Sequence, residues 1–417
     1  MTRPVAVFED AEHVWLGPLT YTRPACRLRC GIQTLWEKIA AAYPGAPIVL
    51  HARNYVAPVV AEEIPQVTVN HLTAPAALLV NGRLIAPADL ADRVPLDGPD
   101  ATYWHEGTVV AVRISGPRCG ELAGLLPRGP LPDGWADGLP RHDVDVPLVR
   151  YPWDMVQHNP GQIAADFDRL RLGGRIEGTV HPSAVLDRPE RIYVAPGAEV
   201  APGAILLGSH GPIAIGEGSI AMAGSVVEGP VALGPHGAIK MLSKIYEGTS
   251  TGEYCKIGGE VGACIFQAYT SKQHDGYLGH SYFGEWINIG ADANNSNLKN
   301  NYGTVRVALN GQEIDSGLLF VGSTVGDHTK FGINSMINTG TVIGVGCNLF
   351  GADFPPKHVP SFCWGGAAGF IEHEFARFLA TAQKVMARRK RDLTPAYRRM
   401  LETVFTQTAN ERNRVVA

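Results

Sequence analysis

Aliphatic and small residues recur at every sixth position through the middle of the chain. The intervening positions are rich in Gly, Asn and Asp, which accept corner conformations that bulkier residues resist. One inward aliphatic residue in every six predicts a β-solenoid whose coils have three short, flat sides. The first series is Ile215, Ala221, Val227, Leu233, Ile239, Ile245, Thr251 and Ile257, and the second is Leu319, Val325, Phe331, Ile337, Ile343 and Leu349.

The segment SKQHDGYLGH, residues 271–280, breaks this series with polar and ionisable residues. We expect the interruption to raise a base and polar anchors above one side of the solenoid. Three simpler interpretations stay open. His274 could be an ordinary loop histidine, His274 and His280 could bind a metal with Asp275, and the Asn-rich run 294–301 could only form a corner.

The flanking regions have other periodicities. Strand-like and helix-like segments alternate before the solenoid, which predicts an α/β domain with a mostly parallel sheet. Behind the solenoid, apolar residues from Ile371 to Val385 follow helical spacing, and Thr394-Pro395 resembles the start of a second helix. The predicted domains are 1–170, 176–365 and 370–410, with the last covering the open end of the solenoid.

Composition narrows the functional class. The 417 residues are 45% hydrophobic and carry a formal net charge of −4, which argues against a disordered chain and against a nucleic-acid-binding protein. We identify no signal peptide and no apolar run of membrane-spanning length. The seven cysteines are scattered, so we expect reduced thiols in a cytoplasmic protein that contacts no membrane.

The six-residue series resembles that of the hexapeptide-repeat acyltransferases over about residues 176–365. This resemblance implies a left-handed parallel β-helix, assembly into a homotrimer, and active sites in clefts between subunits.

Within that stretch, residues 271–303 resemble the acetyltransferase half of the bifunctional N-acetylglucosamine-1-phosphate uridylyltransferase/glucosamine-1-phosphate acetyltransferase family. His274 precedes Tyr277-Leu278-Gly279 at the family's spacing. The resemblance implies that His274 is the general base, a role that a neutral imidazole performs well near pH 7. It also implies two further groups of contacts: Lys240, Tyr277, Asn288, Asn301 and Tyr302 for the amino-sugar phosphate, and Ala291, Ser323 and Thr339 for acetyl-CoA.

The front domain resembles sugar-1-phosphate nucleotidyltransferases in three fragments, LGPLTYTRPACRLRCGI, LLVNGRLI and YPWDMVQHN. The glycine-rich phosphate loop is missing, and Arg83 stands where the family has a metal-binding aspartate. Asp154 is the remaining carboxylate, so the resemblance implies that Mg²⁺ in the N-terminal domain binds there. Arg23, Arg27 and Arg83 are predicted to bind the phosphates of a nucleotide.

Together these features predict an acetyl-CoA-dependent N-acetyltransferase of an amino-sugar phosphate, coupled to a nucleotidyltransferase-like domain in nucleotide-sugar biosynthesis. Two alternatives remain. One is a sugar-1-phosphate nucleotidyltransferase whose β-helix only trimerises it, and the other is a non-enzymatic trimer that binds sugar nucleotides.

Overall fold

The N-terminal part of the chain forms an α/β domain. The computed structural model describes residues 3–132 and 134–416. The strands are β1 (Val5–Phe8), β2 (Ile48–Leu50), β3 (Thr68–Val69), β4 (Ala76–Asn81), β5 (Ala101–His105), β6 (Thr108–Ser115) and β7 (Arg141–Asp143). The helices are α1 (Leu35–Ala42), α2 (Ala57–Glu63), α3 (Leu90–Arg93), α4 (Pro117–Leu125) and α5 (Pro152–Arg169).

These seven strands form one mixed sheet in the order β3-β2-β1-β4-β6-β5-β7. The β1 strand pairs in parallel with β2 and β4, while β6 runs antiparallel to both β4 and β5. Strand β1 is buried along its whole length, as expected for the centre of a sheet covered on both faces. The predicted α/β class with a mostly parallel sheet is confirmed.

Thirty shorter strands follow. They are β8 (Thr179–Val180), β9 (Val185–Asp187), β10 (Ile192–Val194), β11 (Glu199–Val200), β12 (Ile205–Leu207), β13 (Ile213–Ile215), β14 (Ile220–Ala221), β15 (Val226–Glu228), β16 (Val231–Leu233), β17 (Ala238–Ile239), β18 (Lys244–Ile245), β19 (Thr249–Thr251), β20 (Lys256–Ile257), β21 (Glu260–Gly262), β22 (Ile265–Ala268), β23 (Ser271–Lys272), β24 (Tyr277–Gly279), β25 (Tyr282–Glu285), β26 (Asn288–Ile289), β27 (Asn294–Asn295), β28 (Arg306–Leu309), β29 (Gln312–Asp315), β30 (Ser323–Val325), β31 (Lys330–Phe331), β32 (Met336–Ile337), β33 (Thr341–Ile343), β34 (Asn348–Leu349), β35 (His358–Val359), β36 (Cys363–Gly366) and β37 (Gly369–Glu372).

Most of these strands build the three faces of a parallel β-helix. The first face runs from β10 to β35, the second from β8 to β37, and the third from β9 to β24, continued by the pair β27 and β32. Ladder neighbours such as Leu233 and Ile215 are 18 residues apart, which is three hexads for each coil. The predicted left-handed β-helix is confirmed.

Most aliphatic residues of the two series form one continuous core, and Ala221 is also fully buried. Leu319 does not point inward, since its side chain is 44% exposed in the segment that precedes β30. Its assignment to the second series was wrong, because the six-residue spacing alone did not locate the start of the coil.

The true insertion into the β-helix lies after residues 271–280. Those residues form β23, a corner and β24 within an ordinary, slightly shortened coil. In contrast, Val325 follows its ladder neighbour Phe283 by 42 residues. The additional residues form an exposed loop and the antiparallel hairpin β28–β29. In this segment the apolar residues Val305, Val307 and Leu309 pack against Trp153 of α5. The insertion therefore folds back onto the N-terminal part of the same chain.

One corner of the β-helix carries a ladder of stacked aromatic rings. His236, Tyr254, Tyr269, Trp286 and His328 lie on successive coils, each with a positive φ of 53–61°. Neighbouring rings stack, with Tyr269 and Trp286 only 4.0 Å apart between centroids. This ladder gives the C-terminal helices an apolar surface for packing.

The C-terminal helices are α6 (Phe375–Ala387), α7 (Pro395–Gln407) and α8 (Ala409–Arg412). Thr394 caps α7 by accepting a hydrogen bond from the Tyr397 backbone N–H at 3.1 Å. The tail packs on the last coils through Phe362 and Phe378, and it also contacts Val59 of α2. It therefore ties the α/β domain to the β-helix. Within the described ranges, no helix is long and apolar enough to cross a membrane.

Candidate functional site

His274 occupies the corner between the second and third faces of the β-helix. Its side chain is exposed, and its backbone carbonyl accepts a 2.6 Å hydrogen bond from the Lys272 ammonium. Lys272 replaces the inward aliphatic residue of its coil, since it is the ladder neighbour of Ile257 and only 1% exposed. Burial lowers the pKa of Lys272 to about 8, against the opposing effect of nearby Asp275. A buried lysine thus fixes the backbone of the predicted base.

Tyr277 and His280 form a polar cluster next to this corner. The amide nitrogen of Asn297 lies 2.9 Å from both the Tyr277 hydroxyl and the His280 Nδ1. Burial raises the pKa of Tyr277 and lowers that of His280, so both side chains favour their neutral forms. Phe320 stacks on the His280 ring with centroids 5.1 Å apart. The cluster offers hydrogen-bonding groups without charge.

The other predicted sugar contacts lie along the second face or in the loop. Asn288 in β26 is exposed, and Lys240 and Ala291 follow inward residues at the same corner as His274. Asn301 and Tyr302 lie in the exposed loop before β28, where Tyr302 is 71% exposed. The corner therefore gathers His274, Ala291 and Lys240 on nearby coils, whereas Asn301 and Tyr302 belong to the exposed loop.

The same corner exposes large apolar side chains. Met241, Leu242 and Ile333 are 63%, 78% and 69% exposed, respectively, on coils on either side of His274. They form a row along this corner, each two coils away from His274.

Of the predicted acetyl-CoA contacts, Ser323 faces the wrong way. Its side chain lies inside the coil with Leu278 and Phe331, and its buried hydroxyl has no hydrogen-bond partner among the described residues. Val325, two positions later on the same strand, also points inward, so Ser323 faces the inside of the coil as well. Thr339 is 2% exposed, and its hydroxyl lies 3.5 Å from the ammonium of Lys357.

Arg83 is held at the end of β4 by a carboxylate of its own domain. Its Nε and Nη2 donate to the two oxygens of Asp10 at 2.9 and 2.6 Å, and its Nη1 donates to the Val149 carbonyl. The guanidinium is almost completely buried and its charge is already neutralised. The predicted phosphate contact through Arg83 is therefore corrected to a structural ion pair.

Asp154 caps a helix and is not placed to bind a metal. Its Oδ2 accepts backbone N–H groups of Arg150 and Tyr151 at 2.9 and 2.8 Å, at the start of α5. Burial raises the pKa of Asp154, so the protonated, uncharged acid is more favoured here than it would be in water. Among the described residues, no group of three or more His, Cys, Asp or Glu side chains could hold a metal ion. Because Oδ2 already accepts two backbone N–H groups, Asp154 has only one oxygen left to offer a Mg²⁺ ion, which is a poor donor set for that metal.

Arg23 and Arg27 are both paired with carboxylates. Arg23 donates to both carboxylate oxygens of Asp327 at 3.1 and 2.6 Å, joining the N-terminal domain to the β-helix. Arg27 pairs with Glu63 at 3.1 Å in a cavity between the three parts of the molecule. Burial raises the pKa of neighbouring Glu285 to about 7. Arg23 is thus an interdomain residue, and no phosphate site is formed by the three predicted arginines together.

Sequence reasoning missed Lys272 and Asn297 as parts of the site. Lys272 could have been noticed in the sequence, because a lysine at an inward position of the coil requires a partner for its charge. Asn297 could not, since its hydrogen-bond partners His280 and Tyr277 are 17 and 20 residues away in sequence.

Comparisons with known proteins find similarities to both parts of the chain. Residues 5–175 match the sugar nucleotidyl transferase family model. A bifunctional sugar-1-phosphate nucleotidylyltransferase/acetyltransferase of Sulfurisphaera tokodaii is 32% identical over 97 residues, which is 23% of this chain and 24% of that protein. The match thus spans about a quarter of that relative.

Two solved structures are similar at low identity. The UDP-N-acetylglucosamine acyltransferase of Campylobacter jejuni is 13% identical, with 57% of this chain and 96% of that chain covered at a TM-score of 0.33. A hexapeptide transferase family protein of Anaplasma phagocytophilum is 17% identical, with 51% and 90% covered at a TM-score of 0.11. The chain is therefore similar to sugar nucleotidyl transferases over residues 5–175, and to a bifunctional nucleotidylyltransferase/acetyltransferase over about a quarter of its length.

Proposed function

We propose that the protein is an acetyl-CoA-dependent N-acetyltransferase of an amino-sugar phosphate, acting in the cytoplasm in nucleotide-sugar biosynthesis of the UDP-N-acetylglucosamine type. The observation that carries this proposal is His274, exposed at a corner whose backbone is fixed by Lys272. The general class, a transferase with nucleotidyltransferase-like and acyltransferase-type parts, is supported by the relatives. The seven buried free cysteines agree with a reducing location.

The chemistry follows from the residues at this corner. An ammonium group has no lone pair, so the sugar must react as its neutral amine. The exposed imidazole of His274 would accept a proton from that nitrogen as the nitrogen attacks the acetyl carbonyl carbon of acetyl-CoA. Collapse of the tetrahedral intermediate then breaks the carbon–sulfur bond, and the departing thiolate of coenzyme A takes the proton from the His274 imidazolium. The products are an amide and free coenzyme A.

Substrate binding is assigned to the polar groups around the base. Tyr277, Asn288, Asn301 and Tyr302 would hold the sugar hydroxyls, and Lys240 would hold the phosphate by charge. Ala291 and Thr339 remain proposed contacts of the coenzyme. Ser323 is left out, because its hydroxyl lies inside the coil.

We further propose a homotrimer in which the exposed corner of one subunit meets the next. The support is the row formed by Met241, Leu242 and Ile333, which no segment of the same chain covers among the described residues. His274 stands in this row, so a neighbouring subunit would supply the missing wall of the active-site cleft. An exposed loop with Asn301 and Tyr302 is available to reach that neighbour.

The proposal is tested by thiol release from acetyl-CoA with a panel of amino-sugar phosphates and nucleotide-linked amino sugars. His274→Ala should lower kcat by at least about a hundredfold, the usual contribution of a general base. His181→Ala is the matched control, because His181 is also an exposed histidine of the β-helix but lies in its first coil. Equal turnover of wild type and His274→Ala would contradict the assignment. Binding of the sugar without thiol release would favour the non-enzymatic alternative.

A further inference from the structure

A cavity of about 520 Å³ lies at the carboxyl ends of the central strands of the N-terminal domain. Phe8 and Asp10 at the end of β1, Arg83 after β4, and the β5–β6 turn contribute to its wall. In open α/β sheets, ligands bind at this edge. The cavity is separate from the His274 corner, so its occupant is independent of the acyl-transfer site.

The position that would hold a metal is closed by an ion pair. Both oxygens of Asp10 are engaged by the Arg83 fork, and Asn81 donates a further hydrogen bond to Oδ2 at 2.8 Å. A divalent cation would have to displace the guanidinium and approach its positive charge. Three hydrogen bonds thus occupy most of the roughly four lone-pair sites of the Asp10 carboxylate. Without a bound metal, nucleotidyl transfer loses the group that orients its phosphates.

The charge of the remaining wall disfavours phosphates. Besides the Arg83–Asp10 pair, Arg150 is paired with Glu12 at 3.5 Å. Glu106 and Asp137 also line the cavity, and neither forms an ion pair within the described part of the chain. The cavity therefore carries an excess of carboxylates, which repel a di- or triphosphate that brings no bound cation.

The same wall suits a carbohydrate ring. Trp104 and Trp135 line the cavity, with Trp135 packed edge-on against Phe8 at 5.9 Å. Aromatic faces accept the apolar C–H surface of a sugar, and carboxylates accept hydrogen bonds from its hydroxyls. The guanidinium of Arg141 covers one face of Trp104 at 4.7 Å, which leaves Trp135 as the main stacking surface.

We propose that this cavity binds a sugar that carries no phosphate, without a divalent metal, and that the N-terminal domain acts as a sugar-binding module without nucleotidyl transfer. The inference goes beyond the proposed acetyltransferase, which uses other residues. The Arg83–Asp10 pair, the excess of carboxylates and the tryptophan wall carry it jointly.

The test is calorimetric titration of the full-length protein with N-acetylglucosamine and glucosamine, in EDTA and in millimolar Mg²⁺. We expect the same Kd in both buffers, and no heat from UTP in either. Trp135→Ala should weaken sugar binding by about tenfold, the loss expected for one stacked ring. Glu106→Gln, an exposed change that should leave folding intact, should also weaken it. Trp36→Ala is the control, because Trp36 lines a different cavity.

Several results would overturn the inference. They are Mg²⁺-dependent binding of UTP, release of pyrophosphate from UTP and a sugar-1-phosphate, no sugar binding at all, or binding that persists unchanged in both Trp135→Ala and Glu106→Gln. Because sugar could also bind at the acyl-transfer corner, the dependence on Trp135 identifies the site. Acyl transfer by Trp135→Ala should remain at the wild-type rate, so failure of this inference and failure of the proposed function are distinguishable.

Discussion

Replacing Lys272 by Met should make the protein more stable and at the same time a poorer catalyst. Lys272 is buried at an inward position, and its only hydrogen bond among the described residues goes to the His274 carbonyl. Burial lowers its pKa from 10.5 to about 8. Holding the charged form in the folded protein at neutral pH therefore costs about 3 kcal/mol relative to the unfolded chain. Methionine removes that cost but also removes a hydrogen bond worth about 1 kcal/mol.

The sign of the pH dependence follows from the lowered pKa. Between the folded and unfolded pKa values the unfolded chain binds more protons, so the stability contributed by Lys272 rises with pH in that window. The rise amounts to about 1.4 kcal/mol between pH 7 and pH 9. Lys272→Met should thus be about 2 kcal/mol more stable than wild type near pH 7, and this advantage should shrink towards pH 9. Cys264 interacts electrostatically with Lys272, but burial raises the pKa of its thiol to about 12, so it stays protonated up to pH 9 and does not alter this difference.

The assay pairs urea unfolding at several pH values with thiol release from acetyl-CoA. Loss of the hydrogen bond frees the backbone of His274, and a displaced base should lower kcat by about ten- to a hundredfold. Lys244→Met is the control, since Lys244 is 62% exposed and paired with Glu260 at the surface. Lys244→Met should change the free energy of unfolding by less than about 0.5 kcal/mol and should leave the rate of thiol release unchanged. A Lys272→Met protein that is less stable at pH 7, or whose stability difference does not vary with pH, would refute the reasoning.

Other predictions concern assembly and the domain interface. Ile333→Asp combined with Leu242→Asp should convert the proposed trimer to monomers and lower acyl transfer, because charges at the exposed corner oppose apolar contact between subunits. Light scattering measures the oligomeric state, and wild-type protein that is monomeric at micromolar concentration would contradict the shared cleft. Arg23→Met should lower the free energy of unfolding by about 3–5 kcal/mol, since it leaves buried Asp327 without its ion pair. An unchanged urea midpoint would show that the contact between the N-terminal domain and the β-helix does not depend on that ion pair. Thr394→Ala should cost about 1 kcal/mol through the lost cap of α7, measured by the same unfolding curves, with Thr403→Ala in the helix interior as the comparison.

The sequence by itself determined the β-helix and its inward positions. In such a helix each residue stacks on the one a coil earlier, so a short period in sequence is also the period of the core. The start of α7 was predictable for the same reason, because Thr394 and the N–H group that it caps are three residues apart. His274 at its corner was predictable from the spacing to Tyr277, although its role in catalysis stays a prediction.

Only the tertiary structure decided what the charged residues do. Arg83 meets Asp10 across 73 residues, and Arg23 meets Asp327 across 304, so no local pattern reveals that these guanidiniums are already paired. Likewise, the ladder neighbours Phe283 and Val325 are 42 residues apart, which shows that the insertion lies between them. The sequence pattern had placed the interruption at the polar segment 271–280 instead. A periodic core can be predicted from residues that are close in sequence. In contrast, the role of a charged side chain depends on the partner that folding places beside it.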